Sequence, residues 1–409
     1  MTELPFKGLR VIDFTLVWAG PFATRILADF GAEVIKLESI QQPDRVRYMF
    51  PPKGASERLY NRGGYFHEFN RNKYGLTLDL TRHEGKEVFK RLLKISDLFL
   101  ANYPPRVLIN LGLEYPIIKK VKPDIIMLAM PGYGMTGPYR NFPGYGSCFE
   151  AFSGLTNLRG IGSNQTTVLA DPAASLHAIF AVLAALKYRL QTGRGQFIDL
   201  SQTETTGCLM EEAFLEYTMN GHESYPIGNR HRSIAPHGVY RCRGEDEWIA
   251  ITVASDEEWR IFCSVVGNLP WISEEKFSTS LSRWKNQDEL DKLIEKWTLE
   301  HDAYDVMHLL QSGGVAAGVA FNSKEILSNP HLQKRDYFWQ VTTPGTGTYP
   351  FVGPVIKLSK ISAKLRMPPP ALGEHNEYVL GHLLGLSADE IADLEEKKII
   401  GKEPPREIR

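Results

Sequence analysis

The chain has 409 residues, 47 Lys+Arg against 48 Asp+Glu, a formal net charge of -1, and is 43% apolar, 11% aromatic and 23% charged. These values belong to a globular protein and exclude a disordered or low-complexity scaffold. The near-neutral balance supplies no field for nucleic acid or an anionic membrane surface, so neither is expected as a partner, and the length allows two or three domains with large cores.

Leu9 to Phe14 (LRVIDF) predicts a strand, Gly20-Pro21 a turn, Phe22 to Phe30 a helix closed by Gly31, and Glu33 to Leu37 a second strand. Together they make one βαβ unit. The rhythm recurs with a helix over His83 to Ile95, strands over Asp97 to Leu100 and Asp124 to Met130, a helix over Pro172 to Leu190 and a strand over Gly195 to Leu200. Strands alternating with helices predict a mainly parallel, doubly wound sheet. Ser201 to His222 predicts a helix leading out of that domain. Val239 to Cys242 and Trp248 to Val253, around Gly244-Glu245-Asp246, predict a hairpin. Helices near 256–266, 287–298 and 303–312 precede a strand over Val315 to Phe321, and a second hairpin is expected over 338–358 around Pro344-Gly345-Thr346-Gly347. The last 35 or so residues read as helical, with a capping box at Ser387 to Glu390.

No membrane span is predicted, since the most apolar stretch, Ala173 to Leu186, is 14 residues long and reads as a buried core helix. Met1 to Phe14 lacks the apolar core of a secretory signal. Cys148, Cys208, Cys242 and Cys263 are scattered without a CxxC, which points to a reducing, cytoplasmic setting and to no metal site.

Several segments invite a chemical reading. Glu38 ends the second strand, where an acid could meet a ribose hydroxyl. The preceding turn, Trp18-Ala19-Gly20-Pro21, lacks GxGxxG, so no nicotinamide or flavin is expected. The Gly-rich stretch Gly132 to Gly146 follows an apolar strand, as a ligand loop or a plain surface loop would. Asp171, before Pro172, reads as a helix N-cap. A carboxylate so placed is also a competent nucleophile toward an acyl donor, and the two roles remain open on the residues alone. His222, His231 and His237 match no metal spacing.

The ordered set of segments resembles the class III CoA-transferases of the formyl-CoA, carnitine and bile-acid-inducible type. The segments are LPFKGLRVIDFTLVWAGPFATRILADFGAEVIKLE, FNRNKYGLTLDL, AMPGYGMTGPYRNFPGYG, LADPAASLHAIFAVLAALKYRLQTGRGQFIDLS, PHLQKRDYF and ALGEHNEYVL. The resemblance spans the whole chain. It implies an α/β fold with a Rossmann-like large domain, built on a mainly parallel sheet, plus a smaller α+β domain, in an interlocked, ring-like dimer. The corresponding boundaries are 1–200 for the first part of the large domain, 201–225 for a linker helix, 226–325 for the small domain and 326–409 for the return to the large domain.

The resemblance also implies that Asp171 is the catalytic aspartate, attacking an acyl-CoA to give an aspartyl anhydride and then an aspartyl-CoA thioester. Coenzyme A or acyl-CoA is then a substrate, contacted at Trp18, Ala19, Leu78, Asp79, Leu80, Thr81, Asn102, Tyr103, Pro104, Arg106 and Tyr145. Ser39, Asn110 and Pro143 stand where relatives carry basic residues, which leaves Arg47, Arg71, Lys73 or Arg106 to meet the phosphates. Two alternatives share the fold. An α-methylacyl-CoA racemase needs a histidine where this chain has Tyr145. A non-catalytic subunit would pair with a similar chain in a heteromer instead of a homodimer. Asn61 to Phe66 is the expected wall for a dicarboxylic or aromatic acceptor, such as a benzylsuccinate-like compound, with succinyl-CoA as donor.

Overall fold

A computed structural model describes residues 3–161, 168–267, 269–343 and 345–405. Pro344, in the second hairpin turn, lies outside them, as do residues 1–2 and 406–409.

The chain divides into two compact units, one made of residues 1–224 and 336–409, the other of 225–335. In order, the first holds β1 (Arg10–Phe14), α1 (Ala19–Asp29), β2 (Glu33–Glu38), α2 (Gly64–Asn70), β3 (Lys73–Thr77), α3 (His83–Lys94), β4 (Leu98–Ala101), α4 (Pro105–Leu111), α5 (Tyr115–Val121), β5 (Ile126–Ala129), α6 (Gly146–Ser153), α7 (Leu155–Arg159), α8 (Ala170–Thr192), β6 (Phe197–Asp199), α9 (Gln202–Gly207) and α10 (Glu211–Asn220). β1 to β6 form one parallel sheet in the order β3-β2-β1-β4-β5-β6. Short, almost wholly buried strands such as LFLA (98–101) and IMLA (126–129) suit a sheet covered on both faces. One face carries α1 and α8 through Ala23, Leu27, Ala174, Ala178 and Val182. The other carries Val88, Phe89 and Leu92 of α3, Leu108 and Ile118, and the C-terminal Val379, Leu394 and Ile399.

The second unit contains a three-stranded antiparallel sheet of β7 (His237–Arg241), β8 (Trp248–Thr252) and β9 (Ala316–Val319), packed with α11 (Asp256–Val266), α12 (Ser280–Lys285), α13 (Gln287–Thr298) and α14 (Ala303–Gly313). Its core holds Trp259, Phe262, Phe277, Ile294 and Trp297.

Several expectations need correction. Gly20-Pro21 is not a turn but the first turn of α1, where proline's missing N–H costs no helical hydrogen bond. The single helix expected over Ser201 to His222 is three pieces, α9, a 3-10 turn at Cys208–Met210 and α10. The C-terminal region holds the Ser387/Glu390 capping box, but its regular helix is short, Ala388–Glu396, after a π-helical turn at Tyr378–Leu383. The apolar helix α8 is 23 residues long and, by length and composition alone, could cross a membrane. Nor is it a fully buried core helix. A 3.6-residue period puts one stripe on the sheet and leaves Leu176, Phe180, Leu183 and Leu190 exposed.

Candidate active site

The strand order reverses direction between β1 and β4, whose last residues pair as Phe14 with Ala101. The chain therefore leaves both strands at one point on the carboxyl edge, the place where open α/β sheets bind ligands. The loop after β1 is pinned residue by residue. Thr15 donates to Asp13. Asn102 accepts from Leu16 N–H at 2.9 Å and donates to Leu16 C=O at 2.8 Å. Val17 N–H donates to Asp44 at 3.1 Å. Val17 is held at φ +67, the left-handed region that a β-branched residue adopts only under constraint. That constraint aims the next two residues, Trp18 and Ala19, at the start of α1.

Ala19 N–H donates to Asp171 Oδ1 at 3.2 Å. Ser175 donates to Ala19 C=O at 2.6 Å and to Asp171 C=O at 2.8 Å, tying α1 to the first turn of α8. Asp171 is not the N-cap the sequence suggests. The cap position is Leu169, which has no capping side chain, and Asp171 is the second helical residue. The capping is done from another helix. Glu150 of α6, 2% exposed, accepts from Leu169 N–H and from Ala170 N–H at 3.3 Å. Among the described residues no cation pairs with Asp171. Burial pushes its carboxyl up to about 6, Glu150 adds repulsion, and the Ala19 N–H only partly offsets them. Beside it stands Gly146, at which a Cβ would fall on Asp171 Oδ2 and Val168 Cγ1. Only glycine can stand this close to that oxygen.

An aromatic cluster adjoins the carboxylate. Trp18 stacks on Phe69 at 5.4 Å and meets Tyr65 edge-on at 5.9 Å, and Tyr65 also packs on Phe69 at 5.1 Å and on Phe50 at 5.9 Å. Burial and the nearby charge of Asp171 raise the Tyr65 phenol to about 12, so it stays protonated and able to donate. Tyr145 is 56% exposed at the N-cap of α6, and Arg45 donates to its hydroxyl at 3.5 Å.

The other sequence-picked residues also sit at strand ends, but their side chains differ in availability. Leu78 and Leu80 are core residues and can offer only backbone. Asp79 accepts from Thr81 at 2.7 Å. Asn102 is committed to Leu16, and Tyr103 stacks on Phe14 at 4.6 Å. Pro104 is the N-cap of α4, and Arg106, the second residue of that helix, is exposed. Arg47, Arg71 and Lys73 are not available for phosphate. Each is about 1% exposed or less and paired inside, with Glu38 at 2.7 Å, Asp29 at 2.7 Å and Asp13 at 2.9 Å. Glu38, the acid that a dinucleotide site would need, is spent on Arg47. Gly146 and Tyr65 fall in the Gly-rich loop and the expected acceptor wall, whereas Glu150 and Arg45 carry no local signal in the sequence, because their relation to the site is made across elements. Among the described residues no group of three His, Cys, Asp or Glu could hold a metal ion.

The sequence model of CoA-transferase family III matches residues 6–376. The chain is 33% identical over 400 residues to succinyl-CoA–D-citramalate CoA-transferase of Chloroflexus aurantiacus, covering 97% of this chain and 98% of that one. It is 30% identical over 406 residues to the beta subunit of succinyl-CoA–L-malate CoA-transferase from the same organism, covering 98% and 99%. Among solved structures, a CAIB/BAIF family protein from Brucella suis superposes with a TM-score of 0.83 at 26% identity, over 93% of this chain and all of that one.

Proposed function

The chain belongs to CoA-transferase family III, and from that premise we propose that Asp171 is the nucleophile that carries CoA from succinyl-CoA to a small dicarboxylic acid. The observation that carries this reading is a desolvated carboxylate with no cationic partner among the described residues, held by the backbone N–H groups of Ala19 and of Asp171 itself, with a glycine against its other oxygen.

An Asp171 oxygen attacks the thioester carbonyl carbon. The C–S bond breaks, CoA leaves as thiolate with the bonding electrons, and a mixed anhydride remains. The thiolate then attacks the aspartyl carbonyl, releases the donor acid as carboxylate and leaves an aspartyl-CoA thioester. The acceptor carboxylate attacks that carbonyl and expels the thiolate, which takes the acceptor acyl group from the new anhydride and regenerates Asp171. The acyl group's activation is retained throughout, provided water is kept out. The aromatic wall of Trp18, Tyr65 and Phe69 supplies the dry side. Reaction requires the ionised carboxylate, so the acylation rate rises with pH up to about 6 and then levels.

A hydroxy-dicarboxylic acceptor is supported by the citramalate and malate named in the two relatives. Arg45, on the Tyr145 hydroxyl, is the cation we place against the acceptor's distal carboxylate. CoA lies along the carboxyl edge by way of Trp18, the backbone of 78–81, the Asn102–Pro104 turn and Arg106. The racemase alternative is disfavoured by Tyr145, whose phenol replaces an imidazole base. We further propose a dimer, supported by the exposed apolar residues Phe180 of α8 and Phe214, Leu215 and Met219 of α10. Native mass spectrometry would separate a homodimer from pairing with a similar subunit.

The test is turnover with succinyl-CoA against a panel of acids, for wild type and Arg45→Ala. Transfer to malate- or citramalate-like acids, with a raised KM in the variant for diacids only, is expected. Transfer to monocarboxylic acids alone would refute the substrate assignment.

A further inference from the structure

The start of α8 is unusual in where its acceptors come from. The first turn of a helix exposes N–H groups that need partners. A Ser, Asp or Asn at the cap position would supply one locally. Here that position is Leu169, Pro172 has no N–H, and Asp171 turns its own carboxylate back to its own N–H and to Ala19. The acceptor for Leu169 and Ala170 is a buried carboxylate from α6, Glu150, whose other oxygen takes a hydrogen bond from Arg159 Nη1 at 3.3 Å.

We propose that Glu150 is a positioning residue for the Asp171 chemistry, because capping α8 from outside the helix keeps Asp171 out of the cap and turned toward Ala19 and Gly146. This rests on Asp171 being the nucleophile. A carboxylate gains from the helix dipole, but an uncharged acceptor would cap the same N–H groups without the repulsion of a second, poorly solvated carboxylate. For a nucleophile the same placement is useful. While Asp171 is free the two carboxylates repel, and when it becomes an anhydride or thioester its charge is gone and the repulsion with it. Glu150 thereby raises the free carboxylate relative to the covalent intermediates, a difference between ground state and reacting state and not a uniform binding effect. Arg159 is 26% exposed and meets the oxygen of Glu150 that does not cap the helix, so it orients the side chain.

The test compares the full-length wild type, Glu150→Gln and Glu150→Ala by rapid quench with succinyl-CoA across pH, reading Asp171 acylation, together with CoA affinity. Gln keeps a carbonyl acceptor for Leu169 and Ala170 but removes the charge. It should acylate within about tenfold of wild type, with the acid limb lowered by about half a pH unit. Ala leaves two N–H groups unpaired and frees Asp171 to turn back as a cap. It should lose about 10²-fold in acylation at unchanged CoA affinity. Wild-type acylation in the Ala variant, or equal losses in both variants with the acid limb unmoved, would make Glu150 a packing residue and overturn the proposal. If the Ala variant does not fold, the acid limb of Gln decides alone, and an unmoved limb overturns it. Absence of any Asp171 adduct in wild type would instead remove the nucleophile reading on which this one stands.

Discussion

Asp13 and Asp171 are both carboxylates withdrawn from water near the carboxyl edge of one sheet, and they differ most in the charges around them. Asp13 is fully buried, which alone would push its carboxyl up, yet Lys73 at 2.9 Å and the charge of Lys36 outweigh burial and hold it at about 2. Around it lies a closed set of ions, with Lys36 paired to Asp44 at 3.3 Å and Arg47 to Glu38 at 2.7 Å. Asp171 has burial and the repulsion of Glu150 but no cation among the described residues, and stands at about 6. A desolvated carboxylate with a counter-ion becomes a strut, and one without becomes a reagent. The two regions are coupled, since Asp44 of the ionic set holds Val17, and Val17 aims Trp18 and Ala19 at Asp171.

The comparison can be broken at either end. The largest effect is expected from Asp171→Ala, which should reduce CoA transfer by about 10⁴-fold or more while leaving CoA binding and circular dichroism unchanged. Steady-state assays and titration with CoA check this. At the other end, Lys73→Met leaves Asp13 short of its nearest counter-ion inside the protein. We expect a loss of about 3–5 kcal/mol in denaturant unfolding, partly recovered by adding Asp13→Asn. Gly146→Ala tests access rather than charge. Its new methyl would fall on Asp171 Oδ2, so acylation should drop about 10²-fold with little change in melting temperature.

The last effect carries a sign that distinguishes the two carboxylates. The carboxyl of Asp171 is raised in the folded protein, so its ionisation opposes folding. The cost is absent below about pH 4, grows as pH rises and is fully present above about 6. Asp171→Asn should therefore be more stable than wild type at pH 7.5, by about 3 kcal/mol, and equal to it near pH 4. A variant less stable than wild type at pH 7.5 would mean that Asp171 is a structural acceptor after all.

The same contrast explains how much was legible in the sequence. β1, α1, β2 and α3 follow from local apolar periodicity, and the hairpin at His237–Thr252 from its polar turn. β3 is hidden from local periodicity, because KYGLT buries a lysine whose charge is met only once Asp13 is beside it. Arg47, Arg71 and Lys73 read as candidate phosphate ligands because a sequence does not display which cations find partners inside. Asp171 stood out through the resemblance of its segment, but its release from the cap depends on Glu150, in another helix, and no helix-local rule connects them.

The most direct measurement is peptide mapping of the protein mixed with succinyl-CoA and quenched with hydroxylamine, which traps an anhydride, or with borohydride, which reduces an aspartyl thioester. Modification confined to the peptide bearing Asp171, and absent in Asp171→Asn, is the predicted result. Transfer activity with no modification there, or modification of a different carboxylate, would contradict the account.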